Sequence, residues 1–335
     1  MSGPVAEGVS IVLPVYFRRL SIEAVRLLRG SLESVLDQVG EASFEILLVD
    51  DGSPVPVASV AEELGAVASR VRWLRLVRNG GIVGALNAGI AAASHPLIAR
   101  LDADDRWLPG KLDAQLALFR DDPDLSITAT GMVRVTAKGD VIDTHVRPGD
   151  WAGVLRFFVE GGCPFPHGSV IARRDVYQLV GGYPYGADVR HCEDYALWGK
   201  WLRFFKPAMV EAPLYEYRVS GDSVSSQHAG QQHQASQFVR ERFAALELSE
   251  VLPRALPELA KALGSTSLAA GRLAYTLWEF GGALAVPEAA LTPLSAVLPD
   301  RVLEPAGQAE AWWSAFGLPE GPEGRLLSVS AKPFF

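Results

Sequence analysis

Apolar positions along the first 120 residues fall into two alternating rhythms. Short runs rich in β-branched residues predict strands: VSIVLPV (9–15), FEILLVD (44–50), VRWLRLV (71–77) and PLIARL (96–101). Between them, SIEAVRLLRGSLESVLDQ (21–38), PVASVAEELGAVAS (56–69) and GIVGALNAGIAAAS (81–94) carry apolar residues at helical spacing. Strands that alternate with helices predict an α/β fold, its sheet mainly parallel and covered on both faces.

Beyond residue 120 the rhythm loosens. LSITATGMVRVTAKGDVID (125–143) predicts a hairpin that turns at AKGD, and WAGVLRFFVEG (151–161) predicts a helix. HGSVIARRDVYQLVGGY (167–183) reads as strand, helix and a Gly-Gly stop. CEDYALWGKWLRFF (192–205) spaces Tyr195, Trp198, Trp201, Leu202 and Phe205 as a helix does, and AMVEAPLYEYRVS (208–220) reads as a strand. From about residue 229 the chain is helical, Ala/Leu-rich and broken by prolines. The Ser/Gln/His-rich stretch SGDSVSSQHAGQQHQ separates the two parts, which predicts domains at 1–225 and 226–335.

Composition narrows the function classes. The chain has 335 residues, 49% hydrophobic and 21% charged, with a formal net charge of −8. An acidic chain is a poor prior for nucleic-acid partners, which need a basic surface. The two cysteines, Cys163 and Cys192, lie outside any C-x-x-C spacing, so a zinc cluster of cysteines is excluded and reduced thiols are expected. The N-terminus lacks the charged and apolar regions of a signal peptide. Residues 265–286 come nearest to a spanning helix, but Arg272 and Glu279 interrupt them. The expectation is a cytoplasmic protein with at most peripheral contact at the inner membrane face.

Polar chemistry gathers at strand ends, where open parallel sheets bind ligands. Strand one ends in PVY (14–16), strand two in DDGSP (50–54), and strand four in DADD (102–105). Neither G-x-G-x-x-G nor G-x-x-x-x-G-K-[ST] occurs at these ends. The glycine-rich NGGIVGALNAG (79–89) follows strand three and could offer backbone N–H groups, although tight helix packing explains it equally well. Three carboxylates within four residues repel one another, and a cation beside them would offset that repulsion. Hard carboxylate oxygens in D-x-D spacing suit Mg²⁺ or Mn²⁺. The plainer alternative is a solvated turn in which Asp105 caps the next helix.

These segments also carry a resemblance. VSIVLPVY, FEILLVDDGS, NGGIVGALNAGI, IARLDADD, HGSVIARRDVYQLVGGY and CEDYALWGKWL stand in the order and spacing of the inverting family-2 glycosyltransferases, over roughly residues 8–220. The likeness implies a GT-A fold: a Rossmann-like, mainly parallel mixed sheet flanked by helices, here with a helical C-terminal extension. It implies a nucleoside-diphosphate sugar as donor, most often a UDP-sugar, and a carbohydrate or lipid-linked acceptor. By the same resemblance Pro14, Val15 and Tyr16 line the nucleoside, Asp51 contacts the base, and Asn79 opens the segment below the nucleotide. Arg100 precedes the D-x-D. Asp102 lies near the ribose and sugar, and Asp104, with Asp102, holds the Mn²⁺ or Mg²⁺. His167 and the GGY at 181–183 fall on the sugar and acceptor side. Asp194 matches the single catalytic base, with Glu193 beside it. A dipole at the start of its helix would favour the ionised form, although acids are common in any first helical turn. Many relatives place a histidine after the last core strand; this chain has Ser220 there, keeps Arg218, and has His228 eight residues on.

Two rival classes remain at this level. One is a non-catalytic sugar-nucleotide-binding or assembly protein of the same fold, and the other a glycoside hydrolase, which needs a carboxylate pair flanking the sugar bond. Trp198 and Trp201 are expected in the core, and Trp107 is a candidate stacking platform or lid. The C-terminal helices are a candidate homodimer surface, and AWWSAFGL (311–318) either packs on the core or joins a partner.

Overall fold

A computed structural model of the chain describes residues 8–40, 42–219, 229–243 and 248–280. β1 (Val9–Val15) is buried at all seven positions and lies inside a parallel set ordered β3 (Val71–Arg75), β2 (Phe44–Asp50), β1 and β4 (Leu97–Arg100). The sheet then changes direction. β8 (Ile171–Arg173) runs antiparallel to β4 and to β6 (Leu125–Val135), and β6 runs parallel to β9 (Lys206–Arg218). β5 (Arg106–Trp107) closes that edge against β9, and β7 (Val141–His145) forms the expected hairpin with β6. The result is the mixed, mainly parallel sheet that the sequence predicts.

Strand alternation divides the core between two faces. Ile11, Leu13 and Leu48 face α1 (Ile22–Leu36), α4 (Lys111–Asp121) and the 57–67 segment. Val12, Leu47 and Val49 face α3 (Gly81–Ala92), with α5 (Trp151–Glu160), α6 (Arg174–Val180) and α7 (Glu193–Trp201) in the same apolar cluster. Ser21 caps α1 by accepting from the Ala24 N–H at 3.1 Å. Gly89 lets α3 lie against the sheet, since a Cβ there would stand 2.4 Å from Val12 Cγ1.

Three expectations change. The predicted helix over 56–69 is a 3₁₀ turn, the single turn α2 (Ala61–Leu64) and a second 3₁₀ turn, because Gly65 breaks the run at φ +68. Pro253 and Pro257 do not break the helix Leu248–Leu263 that contains them. Residues 106–107, which the sequence pattern leaves unassigned, form the short strand β5.

Trp198 and Trp201 are core residues, as expected, and the Trp201 indole N–H donates to Ser126 Oγ at 2.8 Å. Leu252, Leu256, Leu259, Ala270 and Ala274, from helices Leu248–Leu263 and Ser267–Phe280, share one apolar cluster with Val154 of α5 and Phe204. No helix among the described residues is long and apolar enough to cross a membrane. Ser220, His228 and the segment 311–318 lie outside the described residues.

Candidate active site

The parallel neighbours β2, β1 and β4 deliver three polar ends to one edge. Val15 pairs with Asp50 in register, and the Asp51 N–H donates to the Val15 carbonyl at 2.9 Å. Pro14 and Val15 are buried, so they shape this edge through the backbone, while Tyr16 is 42% exposed at its mouth. Asp50 serves the turn, accepting from the N–H groups of Ser53 (2.8 Å) and Val57 (3.0 Å). Asp51 reaches across to strand three's end, where Oδ1 accepts from the Gly80 N–H at 2.7 Å. Gly52 makes that approach possible, with φ +68 and a Cβ position only 2.6 Å from the Arg78 carbonyl carbon. Burial pushes the Asp51 carboxyl up. Asn79 is exposed, and its Oδ1 accepts from the Gly81 N–H at 3.1 Å.

At the end of β4 the crowded acids meet two arginines. Arg100, 6% exposed, pairs with Asp102, and its N–H donates to the Val170 carbonyl at 3.1 Å. Its Nε is buried without a hydrogen-bond partner. Asp104 is pushed up to about 6, first by burial and then by Asp102. Asp105 does not cap α4, whose N-cap is Gly110. It is drawn inward instead: it accepts from the Tyr215 hydroxyl and, at 2.7 Å, from the Arg218 N–H. The Arg218 guanidinium donates to the Asp104 carbonyl (3.2 Å) and to the carbonyls of Thr136 and Ala137 (both 3.1 Å). Trp107 is neither platform nor lid. It is 2% exposed, held by β5 pairing, with its indole N–H 3.4 Å from the Gly168 carbonyl and Lys111 Nζ 4.0 Å from its ring centroid.

The second group of acids opens α7. Asp194 Oδ1 accepts from the Tyr195 N–H at 2.8 Å, while Oδ2 lies 3.6 Å from Cys163 Sγ and 3.9 Å from His167 Nδ1. The helix-dipole expectation is only half the balance: burial pushes the Asp194 carboxyl up, against the downward pull of the Tyr195 N–H and Arg100. Glu193 is pushed up to about 7 by burial and by Asp194. His191, just before them, adopts φ +64, a conformation rarely populated by a non-glycine residue and often found near functional sites. The Gln232 side chain, from helix Ala229–Phe243, donates to the His191 carbonyl at 3.0 Å. His167 Nε2 lies 2.7 Å from the Tyr183 hydroxyl, and Tyr183 is fixed to Asn87 of α3 by hydrogen bonds of 2.9 and 3.0 Å.

Arg100 joins the two groups. Its charge favours the ionised forms of Asp104, Glu193 and Asp194 and disfavours protonated His167. Sequence reasoning does not single out Tyr215, which reads there as part of an ordinary strand, or the approach of Cys163 to Asp194. Both are long-range pairings without a local pattern. Arg218 does stand out in the sequence, but its anchoring of the acidic loop does not.

A divalent cation can be weighed against the same residues. No group of three or more His, Cys, Asp or Glu side chains among the described residues is arranged to hold a metal. Asp104 and Asp102 nonetheless fit an ion of the Mg²⁺ class, which binds one or two carboxylates and takes its other ligands from water and phosphate. The upward shift of Asp104 is one that a dication would reverse.

Over 207 residues the chain is 28% identical to the amylovoran biosynthesis glycosyltransferase AmsE of Erwinia amylovora, covering 59% of this chain and 73% of that one. Over 121 residues it is 36% identical to the succinoglycan biosynthesis protein ExoW of Rhizobium meliloti (strain 1021), covering 34% and 35%. In three dimensions it resembles S. aureus TarS 1–349, solved in complex with UDP-GlcNAc, at a TM-score of 0.56 and 14% identity. That match covers 96% of this chain and 90% of TarS 1–349, and its likeness is one of fold. Residues 10–178, half of the chain, match the profile of glycosyl transferase family 2, and the protein is a glycosyltransferase belonging to that family.

Proposed function

We propose that this enzyme moves a sugar from a UDP-sugar to a carbohydrate or lipid-linked hydroxyl, with inversion at the anomeric carbon. The observation that carries the reading is that separate elements hold two groups of acids: the Asp102–Asp104 loop after β4, with Arg100 paired to Asp102, and Asp194 at the start of α7 beside His167 and Cys163. One acidic group can face the diphosphate while the other faces the incoming hydroxyl.

Asp51, with the β1 end from Pro14 to Tyr16, would hold the nucleoside, and Asn79 would border it. The UDP-GlcNAc bound to TarS supports uracil as the base. The unpartnered Nε of Arg100 is a spare buried donor suited to a phosphate oxygen. Asp104 and Asp102 would hold Mn²⁺ or Mg²⁺. When bound, such an ion supplies Lewis-acid stabilisation of the departing diphosphate. Asp194 accepts the proton of the acceptor hydroxyl as its oxygen bonds to the anomeric carbon, and the bond to the diphosphate breaks on the opposite face. One base and a single displacement give inversion. Activity on a polysaccharide precursor is supported by the amylovoran and succinoglycan biosynthesis named for AmsE and ExoW.

Calorimetric titration with UDP, GDP and dTDP, each with and without Mn²⁺, tests the donor half. UDP binding that strengthens with Mn²⁺ and loses that gain in Asp104→Asn is expected; nucleotide binding indifferent to the metal overturns the metal assignment. Asp194→Asn should keep UDP affinity and lose transfer by a factor of at least about 100, the usual weight of a general base. Transfer at the normal rate in that variant removes Asp194 from the role.

A further inference from the structure

We infer that His167 is the positioning residue of Asp194, donating from Nδ1–H to Asp194 Oδ2, with Tyr183 fixing the tautomer through Nε2. The inference rests on Asp194 being the base.

The geometry comes from three separate elements. His167 begins the short 3₁₀ turn His167–Ser169, Tyr183 follows α6, and Asp194 opens α7. The Tyr183 hydroxyl lies 2.7 Å from Nε2. That hydroxyl also shares a hydrogen bond with Tyr177 and has a single proton to give. Given to His167 Nε2, it leaves the proton of the neutral imidazole on Nδ1, the nitrogen that faces Asp194. The separation of 3.9 Å between Nδ1 and Oδ2 is about 1 Å longer than a hydrogen bond. Catalytic hydrogen bonds are often long without substrate and tighten when it binds.

The surroundings keep the imidazole neutral and in place. Burial and the Arg100 charge both oppose its protonation. The other ionisable groups facing the pair are Glu193, whose carboxyl burial and Asp194 push up, Tyr177 behind Tyr183, Cys163 beside Oδ2, and Arg147, which donates to the Cys163 carbonyl at 2.5 Å. Trp198 packs edge-on to the ring with centroids 6.4 Å apart. The turn itself is pinned, since the Gln115 amide donates to the Ser169 carbonyl at 3.0 Å and the Trp107 indole reaches Gly168. A neutral, fixed donor beside the base would orient Oδ2 without quenching it as a full cation would.

Long-range ¹⁵N NMR of the histidine-labelled full chain tests this, with His167 assigned by its loss in His167→Gln. The expected spectrum shows the Nδ1–H tautomer, with a pH inflection that disappears in Asp194→Asn. In Tyr183→Phe the tautomer preference should weaken while the inflection persists. An Nε2–H tautomer in the wild type, or a His167 titration identical in wild type and Asp194→Asn, overturns the inference. UDP calorimetry on the same samples separates the two claims. Normal UDP binding in the wild type with no Asp194-linked inflection defeats only the His167 role, and absence of UDP binding in the wild type defeats the donor reading.

Discussion

Asp194 and Lys111 illustrate how burial decides the chemistry of a single side chain. Asp194 lies at a helix N-terminus, where the dipole favours ionisation, yet burial pushes its carboxyl above the ordinary aspartate value of about 3.9. A base must be deprotonated to act, so transfer is expected to fall as pH drops through that raised value. The acidic limb of the kcat profile should therefore lie above the range of an exposed aspartate; a limb at or below it contradicts the assignment. Lys111 is wholly buried and faces no carboxylate partner among the described residues, its Nζ resting 2.6 Å from Gln115 Oε1. Burial pushes its amine well below the usual lysine value. The unfolded chain then holds a proton that the folded chain has lost, so this group makes stability rise with pH until the unfolded amine also deprotonates, near 10.4. Lys111→Met should raise the urea midpoint at neutral pH and flatten that slope, as read from unfolding curves at several pH values.

Elements are joined at the site by contacts that leave little room. The turn holding His167 meets β9 where Gly168 faces Tyr215, and a Cβ on Gly168 would stand 1.9 Å from the Tyr215 hydroxyl oxygen. That ring cannot swing away easily, because it is buried and its hydroxyl donates to Asp105. Gly168→Ala is therefore expected to cost about 1–3 kcal/mol, as overpacked sites do, measured by denaturant unfolding. It should also disturb UDP and metal binding through Asp105. The same element-level logic accounts for α3, where Gly89 and the Asn87–Tyr183 clamp fix the helix against β1 and against the loop behind His167.

At the scale of the whole molecule, one apolar cluster runs from the sheet through α5 and α7 into the C-terminal helices. Leu252, Leu256 and Leu259 are fully buried, and Gln232 and Ser236 of the preceding helix reach the His191–Cys192 segment. We therefore propose that the boundary near residue 225 marks a change of composition while the helices complete the catalytic core. A chain ended at residue 225 should melt at least about 10 °C below the full chain or fail to remain folded, by calorimetry or circular dichroism. Independent folding of 1–225 with an unchanged midpoint would restore two separate domains.

The strand–helix rhythm, the hairpin at 125–143 and the acids at strand ends are local properties, set by side-chain periodicity and turn residues, so the sequence alone determined them. It also marked the candidate residues that the resemblance names, Asp51, Asp102, Asp104 and Asp194, because each stands in a short contiguous motif. Tertiary structure decided what no local pattern encodes. Burial and strand pairing turned Asp105 inward to Tyr215 and Arg218 and made Trp107 a core residue rather than a lid. They also brought Cys163 and His167 to Asp194 from other elements and placed Arg100 where its charge reaches both groups of acids. Hydrogen bonding and desolvation depend on neighbours far along the chain, so they arise only when the sheet and its helices close around them.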